Sequence, residues 1–241
     1  MTAFSAHSRA ERSSRGHADH AIVVSFVSVL ADSEGALYWP EQGLLIAADL
    51  HLEKGSSFAA RGVLLPPYDT AATLARLARL VTHYAPRCVV ALGDSFHDDG
   101  GPARLVGADR EALSIMQRRR EWIWITGNHD PEPATGIGGV FIDKMTLGAL
   151  TFRHLPTGAS GEVSGHLHPV ARVAHRGRVV SRRCFAADAT RVIMPAFGAF
   201  TGGLNIRDAM FADVFGTLAF KAHLLGDGRL YAFAAKRCLP D

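Results

Sequence analysis

Three short strand-like runs each end on a polar cluster, and this pattern restricts the fold more than any other feature of the chain. Residues 43–48 lead into Asp49-Leu50-His51, residues 87–92 into Gly93-Asp94, and residues 121–126 into Gly127-Asn128-His129-Asp130. Apolar runs of this length suit strands buried inside a sheet. Helical periodicity lies between them. Over residues 68–84, Leu74, Leu77, Leu80 and Val81 share one face, Arg76 and Arg79 point away from it, and Pro86 ends the helix. Residues 102–120 read as a second helix with Leu105, Leu113 and Met116 inward. Its tail, Arg118-Arg119-Arg120, would complement the negative end of the helix dipole. Alternating strands and helices place the polar clusters at the carboxyl edge of the sheet, where open α/β folds bind their ligands.

Beyond residue 140 the pattern becomes mostly strand. Short β-like runs over 146–152, 162–164, 170–174, 179–182, 191–194, 218–220 and 230–233 are separated by Gly, Pro and Asp-Gly turns. The expectation is an α/β protein of two packed sheets with helices outside. Residues 21–241 read as one domain. Residues 1–20, rich in Ser, Arg and His, read as a flexible extension. Residues 21–30 hold four valines and an isoleucine, which suits a first strand better than a cleaved leader ending at Ala31.

With 48% hydrophobic residues the chain can bury a sizeable core, and no apolar run approaches the ~20 residues that span a bilayer. Cys88, Cys184 and Cys238 form no CxxC pair, so free thiols in a reducing cytoplasm are expected. Net charge is only +3, carried by 22 arginines against four lysines. Arginine's planar fork suits phosphate contacts, though GC-rich coding produces the same bias.

Five segments carry the chemistry: Asp49-Leu50-His51, Gly93-Asp94, Gly127-Asn128-His129-Asp130, His154, and Gly165-His166-Leu167-His168. Asp49 and His51 are two apart, as are His166 and His168, and on extended backbone each pair would aim at one point. Asp49, Asp94, Asn128 and the imidazoles of His51, His154, His166 and His168 form an O/N donor set without sulfur. That set suits Mn, Fe, Zn, Co or Ni better than Ca or Mg alone. Seven donors are too many for one catalytic ion that keeps an open position. They suffice for two divalent ions about 3.5–4 Å apart sharing a carboxylate, with a bridging hydroxide attacking a phosphate in line.

This order of motifs resembles the calcineurin-like metallophosphoesterase superfamily, whose pattern is D-x-H, G-D, G-N-H-[DE], H and G-H-x-H. The resemblance implies a four-layer αββα sandwich. It implies Asp49, His51, Asp94 and His168 around one metal, manganese foremost. Asp94 would bridge to a second metal completed by Asn128, His154 and His166. His129 would be no ligand but would act as general acid toward the leaving oxygen or stabilise the transition state. Phosphatase branches carry an acid three residues past the bridging aspartate. Here that slot is His97, which resembles the DNA double-strand-break repair nucleases, where it helps place the DNA phosphate. Asp98 or Asp99 are alternative partners for orienting His129.

The stretches Ala36-Leu37-Tyr38-Trp39-Pro40, Ala48-Asp49-Leu50-His51-Leu52-Glu53-Lys54 and Pro195-Ala196-Phe197-Gly198-Ala199-Phe200-Thr201-Gly202-Gly203 are similar to those of the ligase-associated DNA damage response endonucleases. That group implies DNA as substrate and association with a DNA ligase and a helicase in repair. Related nucleases pair, which admits a homodimer. Arg153, beside His154, and Arg182-Arg183 are candidate phosphate contacts, the latter pair also reading as solvated surface charge. Hydrolysis of small nucleotide phosphoesters and a non-catalytic metal-stabilised scaffold are the alternatives.

Overall fold

Two-residue alternation sorts the central strands between two cores. Leu44, Ile46 and Ala48 pack into one apolar cluster while Leu45 and Ala47 pack into another, and all five are buried. A strand buried on both faces must lie inside the molecule, with a layer on either side. A computed structural model describes residues 20–66 and 68–241. The extension expected over residues 1–20 lies, up to residue 19, outside the described residues.

The first sheet runs in sequence order: β1 (His20–Val24), β2 (Val27–Ala31), β3 (Leu37–Trp39), β4 (Leu44–Ala48), β5 (Cys88–Leu92), β6 (Glu121–Ile125) and β7 (Val140–Ile142). β4 to β7 are parallel, and β1 to β4 pair antiparallel. The second sheet is mixed. It holds β8 (Lys144–Leu147), β9 (Leu150–Arg153), β10 (Glu162–Ser164), β11 (Pro169–His175), β12 (Arg178–Ala187), β13 (Arg191–Ile193), β14 (Leu204–Asn205), β15 (Lys221–Leu225) and β16 (Leu230–Ala234). Within it β9, β10 and β13 are parallel. The helices are α1 (Lys54–Ala59), α2 (Asp69–Tyr84), α3 (Gly101–Arg104), α4 (Gly107–Gln117) and α5 (Ala209–Phe215).

Three apolar clusters define four layers. The first sheet's outer face, with Trp122 and Trp124, packs on Leu74, Leu77 and Leu80 of α2 and Leu113 and Met116 of α4. Its inner face, with Val90, Leu92 and Ile125, packs on Phe152, Phe185 and Val192 of the second sheet. The second sheet's outer face packs on Phe211 and Phe215 of α5. The αββα sandwich expected from the sequence is the fold. No described helix is long and apolar enough to cross a membrane, and the three cysteines are free thiols.

Some expected elements differ. Residues 21–30 form not one strand but the hairpin β1–β2, turning at Ser25 and Phe26 with φ of 46° and 67°. Neither residue type favours that geometry. The turn is held from outside, by Ser25 N–H on the Ala189 carbonyl (2.8 Å). The helix expected over 102–120 breaks at Leu105 and Val106 into α3 and α4, so Arg119 and Arg120 lie beyond its end. Residues 146–152 are a hairpin about Gly148 rather than one run. The strand placed at 218–220 starts only at Lys221, because Phe220 stacks on Phe215 with ring centroids 4.2 Å apart.

Candidate metal centre

Every polar segment singled out in the sequence leaves the carboxyl end of a parallel strand. Asp49 follows β4, Asp94 follows β5 and Asn128 follows β6 in one sheet. His154 follows β9 and His166 follows β10 in the other. The sheets are tied there by a bridge between Ala48 and Ala196, and the Asp49 carbonyl accepts from Gly198 N–H (3.0 Å). The Pro195–Gly203 loop thus packs beneath the site.

The backbone at the site is not extended. Asp49, His51, His166 and His168 have φ of 53°, 43°, 70° and 45°. For residues with a Cβ, left-handed backbone is a local strain of the kind that clusters at functional sites. Leu50 and Leu52, between the polar residues, are buried in the helix-side core, which pins the alternation. The expectation that each i, i+2 pair aims at one point therefore holds only in part. Asp49 and His51 meet with His168, whereas His166 joins Asp94 and His154.

Within each of these groups the donor atoms all lie within 4.8 Å of one another. In the first, His168 Nε2 is 3.3 Å from Asp49 Oδ1 and 3.3 Å from His51 Nε2. In the second, His154 Nε2 is 3.3 Å from Asp94 Oδ2, 3.3 Å from His166 Nδ1 and 2.9 Å from Asn128 Oδ1. Asp94 Oδ2 is also 3.9 Å from His51 Nε2, so it stands between the two groups. Its partner oxygen accepts the His129 backbone N–H at 2.9 Å, which fixes the carboxylate plane. Two glycines make room. A Cβ on Gly93 would collide with the His154 side chain at Nδ1, Cγ and Cβ, and one on Gly127 would collide with Asp94 Oδ1 and its backbone nitrogen.

The electrostatics fit cations. Asp49 and Asp94 are 0% and 2% exposed, and two carboxylates at that depth need positive partners. His51 Nδ1 and His154 Nδ1 are buried without a hydrogen-bond partner. Burial pushes His51 down to about 3, helped by the charges of His168, His129 and Lys54 and opposed by Asp94, so its ring is a neutral lone-pair donor. Burial also works against a charged His154, but the bond to Asp94 and the charges of Asp49 and Asp94 outweigh it and raise this ring. In Asp94 burial is overcome by His154, the His129 N–H and His51, which hold the carboxyl well below the usual range. Burial and neighbouring His154 lower His166.

His129 stands exposed at the rim. Its Nδ1 lies 2.9 Å from the His97 carbonyl oxygen, its ring stacks on His97 (5.2 Å, 21°), and it meets His51 edge-on at 5.2 Å. A backbone carbonyl, not Asp98 or Asp99, therefore orients it. Asp98 is taken by Arg104 at 2.6 Å, and Asp99 is exposed. Burial, with the charges of Lys54 and His129, pushes His97 down to about 4.

Arg153 lies off the centre. Its Nη1 is 3.6 Å from Glu162 Oε1, and it shares a cavity of about 270 Å³ with Asn128, Lys144 and His154. Arg182 is exposed. Arg183 is no surface charge: its Nη1 donates to the Ala196 carbonyl at 2.8 Å and bracing the loop beneath the site is its visible role.

Two contributors had no role in the sequence reading. Asp130 accepts N–H groups from Ser95 (2.8 Å) and Phe96 (3.0 Å) on one oxygen and from Gly127 (3.0 Å) on the other, clamping two ligand loops together. Burial and the Asp94 charge push it up to about 6 against those donors. The signal was a carboxylate directly after Gly127-Asn128-His129. The second is α1, which brings Phe58 to 5.5 Å from His97. Its Lys-Gly-Ser-Ser-Phe-Ala sequence has no helical periodicity to reveal it.

Among solved structures, the chain is similar to the nuclease MPE of Pseudomonas putida, with a TM-score of 0.70 and 28% identity. That match covers 89% of this chain and 100% of the other. A looser likeness, TM-score 0.40 at 16% identity over 80% of this chain and 98% of the other, is to YfcE, a phosphoesterase from E. coli. No protein-family model matches the chain, and no curated protein does either.

Proposed function

We propose that this chain, a calcineurin-like metallophosphoesterase in fold and in donor set, is a two-metal phosphodiesterase that cuts DNA. It is a hydrolase of ester bonds. The observation that carries the reading is the meeting of two donor groups at Asp94 Oδ2, on a fold shared with the Pseudomonas putida nuclease.

Asp49, His51, Asp94 and His168 would hold one cation, and Asp94, Asn128, His154 and His166 the other. Two divalent cations, when bound by these residues, would supply positive charge for the phosphate oxygens and acidify a water for hydrolysis. His129, its Nδ1–H on the His97 carbonyl, turns Nε2 to the leaving oxygen and, as the doubly protonated imidazolium, gives its Nε2 proton to that oxygen and becomes neutral. His97 lines the approach and helps seat the phosphate, and Arg153 contacts a flanking phosphate. The O/N donor set admits manganese along with Fe, Zn, Co and Ni, and manganese is the metal of this reading. Exposed Asn128 and His129 leave the site open to a long substrate. Repair alongside a DNA ligase and a helicase, a cytoplasmic setting and pairing into a homodimer complete this reading and rest on the resemblance of the motifs. The cavity beside Arg153 favours, as a second reading, small nucleotide phosphoesters.

The test uses protein purified without chelator, its metals quantified by elemental analysis, with Mn and single- and double-stranded DNA. Asp94→Ala is expected to lose activity about 100-fold or more. Equal cutting by variant and parent overturns the proposal. Hydrolysis of mono- but not bis-p-nitrophenyl phosphate, with no polynucleotide cut, selects the small-substrate reading.

A further inference from the structure

The edge of the first sheet opposite the donor groups holds a cavity of about 650 Å³. Leu44, Cys88 and Glu121, the first residues of β4, β5 and β6, line it, whereas Asp49, Asp94 and Asn128 follow the last residues of those strands. At ~3.3 Å per residue, strands of this length set the two places on the order of 15 Å apart. Met145 and Leu147 of β8 line the cavity from the second sheet, and Ile123 joins Leu44 from the first. All four belong to or pack on the apolar cluster between the sheets, so the cavity opens from that core. Its volume is that of a small-molecule site.

The polar side of the cavity is cationic. Arg87 precedes β5, and Arg119 and Arg120 precede β6. Backbone bonds fix these segments together: Glu121 N–H donates to the Arg87 carbonyl (2.9 Å), and Arg87 N–H to the Gly43 carbonyl (2.8 Å). Gly43, left-handed at φ 56°, leaves the space that Arg87 fills, since a Cβ there would lie 2.9 Å from Arg87 Nε. Arg119 holds φ 61°, a strained conformation for a residue with a Cβ. Arg120 matters most, because its Nε and Nη1 are buried without a hydrogen-bond partner. Such a cost is recovered when an anion accepts from them. Among the described residues, the ion pairs of arginine are made by Arg76, Arg79, Arg104, Arg153, Arg172 and Arg191, and none by these three. Glu121 is the one carboxylate lining the cavity. Burial, with that charge, pushes the Cys88 thiol up to about 11. Three cations against one carboxylate leave two positive charges, which match a phosphomonoester near its dianion better than a carboxylate. The apolar wall calls for an organic body on that phosphate. Gln42, on the rim, carries an amide that both donates and accepts, as the edge of a nucleobase requires.

We propose that this cavity is a second ligand site, which binds a nucleoside monophosphate with its phosphate on Arg87, Arg119 and Arg120 and its base against Leu44, Ile123 and the β8 side chains. The site is separate from the metal centre and does not depend on the nuclease reading.

Cys88 supplies the readout, because it is half-buried in the cavity wall while Cys184 and Cys238 are buried in the core against α5. The full chain in EDTA is alkylated with N-ethylmaleimide at about pH 8.5, and each thiol is followed by mass spectrometry. Arms contain dAMP, deoxyadenosine, inorganic phosphate or octanoate. Expected is alkylation of Cys88 about tenfold slower in about 1 mM dAMP, with little protection in the other three arms. Arg120→Met and Arg87→Met keep an unbranched stem and remove the fork, and each should lose most of the protection. Cys184 and Cys238 that stay unmodified show that the variants are folded. An unchanged Cys88 rate in dAMP overturns the site on the parent alone. Equal protection by deoxyadenosine or by inorganic phosphate, stronger protection by octanoate, or parental protection in both folded variants overturns it as well.

Discussion

At the scale of single residues, the site is a set of close approaches that tolerate almost no added volume. Gly127 is the sharpest case, because a methyl there meets the backbone nitrogen of Asp94 as well as its carboxylate. Backbone cannot swing aside as a side-chain tip can. Gly127→Ala is expected to lower metal content on elemental analysis and to cost roughly 1–3 kcal/mol in urea unfolding. His129 offers the opposite experiment. It lies outside both donor groups, and its side-chain partner is a backbone carbonyl. His129→Ala should keep parental metal content yet lose about 10²–10⁴ in kcat on a diester. A fall in bound metal of the same proportion would instead make it a ligand. Six of the seven candidate donors could be read from sequence because each stands in a short local motif, whereas His154 stands alone and was read only from its place in the order of motifs. Asp130 could not be given a role, because its three N–H partners come from two loops that only folding brings together.

At the scale of elements, the long periodic segments were legible and the short ones were not. β4, β5, β6 and α2 lie within a residue or two of where period and punctuation place them. α1 and α5 escaped because six or seven residues hold too few turns for an apolar stripe to show. The β1–β2 hairpin escaped because its turn is imposed by contacts with residues 189 and 190. That N-terminal hairpin also packs on the second sheet through His20, whose ring lies 4.9 Å from His223 on β15. His223 is 6% exposed, and burial, with the charges of His20 and Lys221, pushes it down to about 4 from 6.5. The unfolded chain therefore takes up a proton near pH 6.5 while the folded chain resists until about 4. Stability is thus lost as pH falls through that window. His223→Gln, compared with the parent by urea unfolding in EDTA at pH 6.5 and 4, should show a smaller loss, the difference being on the order of 1–3 kcal/mol. Identical losses would mean that this ring does not carry the effect.

At the scale of the whole molecule, two sheets pack face to face, and the candidate cation sites lie where their strands' carboxyl ends come together. Candidate donors that follow β4, β5 and β6 face those that follow β9 and β10, so bound cations should tie the sheets together. Mn at about 100 times its Kd should add roughly 2.7 kcal/mol, a Tm rise of about 5–10 °C over the EDTA-treated protein in a calorimetric scan. Asp94→Ala should lose most of that rise, and an unchanged rise would place the cations elsewhere. The layered architecture and the chemical identity of the donors were determined by the sequence alone, because strand periodicity, turn residues and short motifs are local properties of the chain. The division of His166 from His168, the station of Asp94 Oδ2 between the groups, and the carbonyl that orients His129 were decided only by tertiary structure. They depend on left-handed backbone and on distances between segments up to 120 residues apart, and no local pattern encodes either.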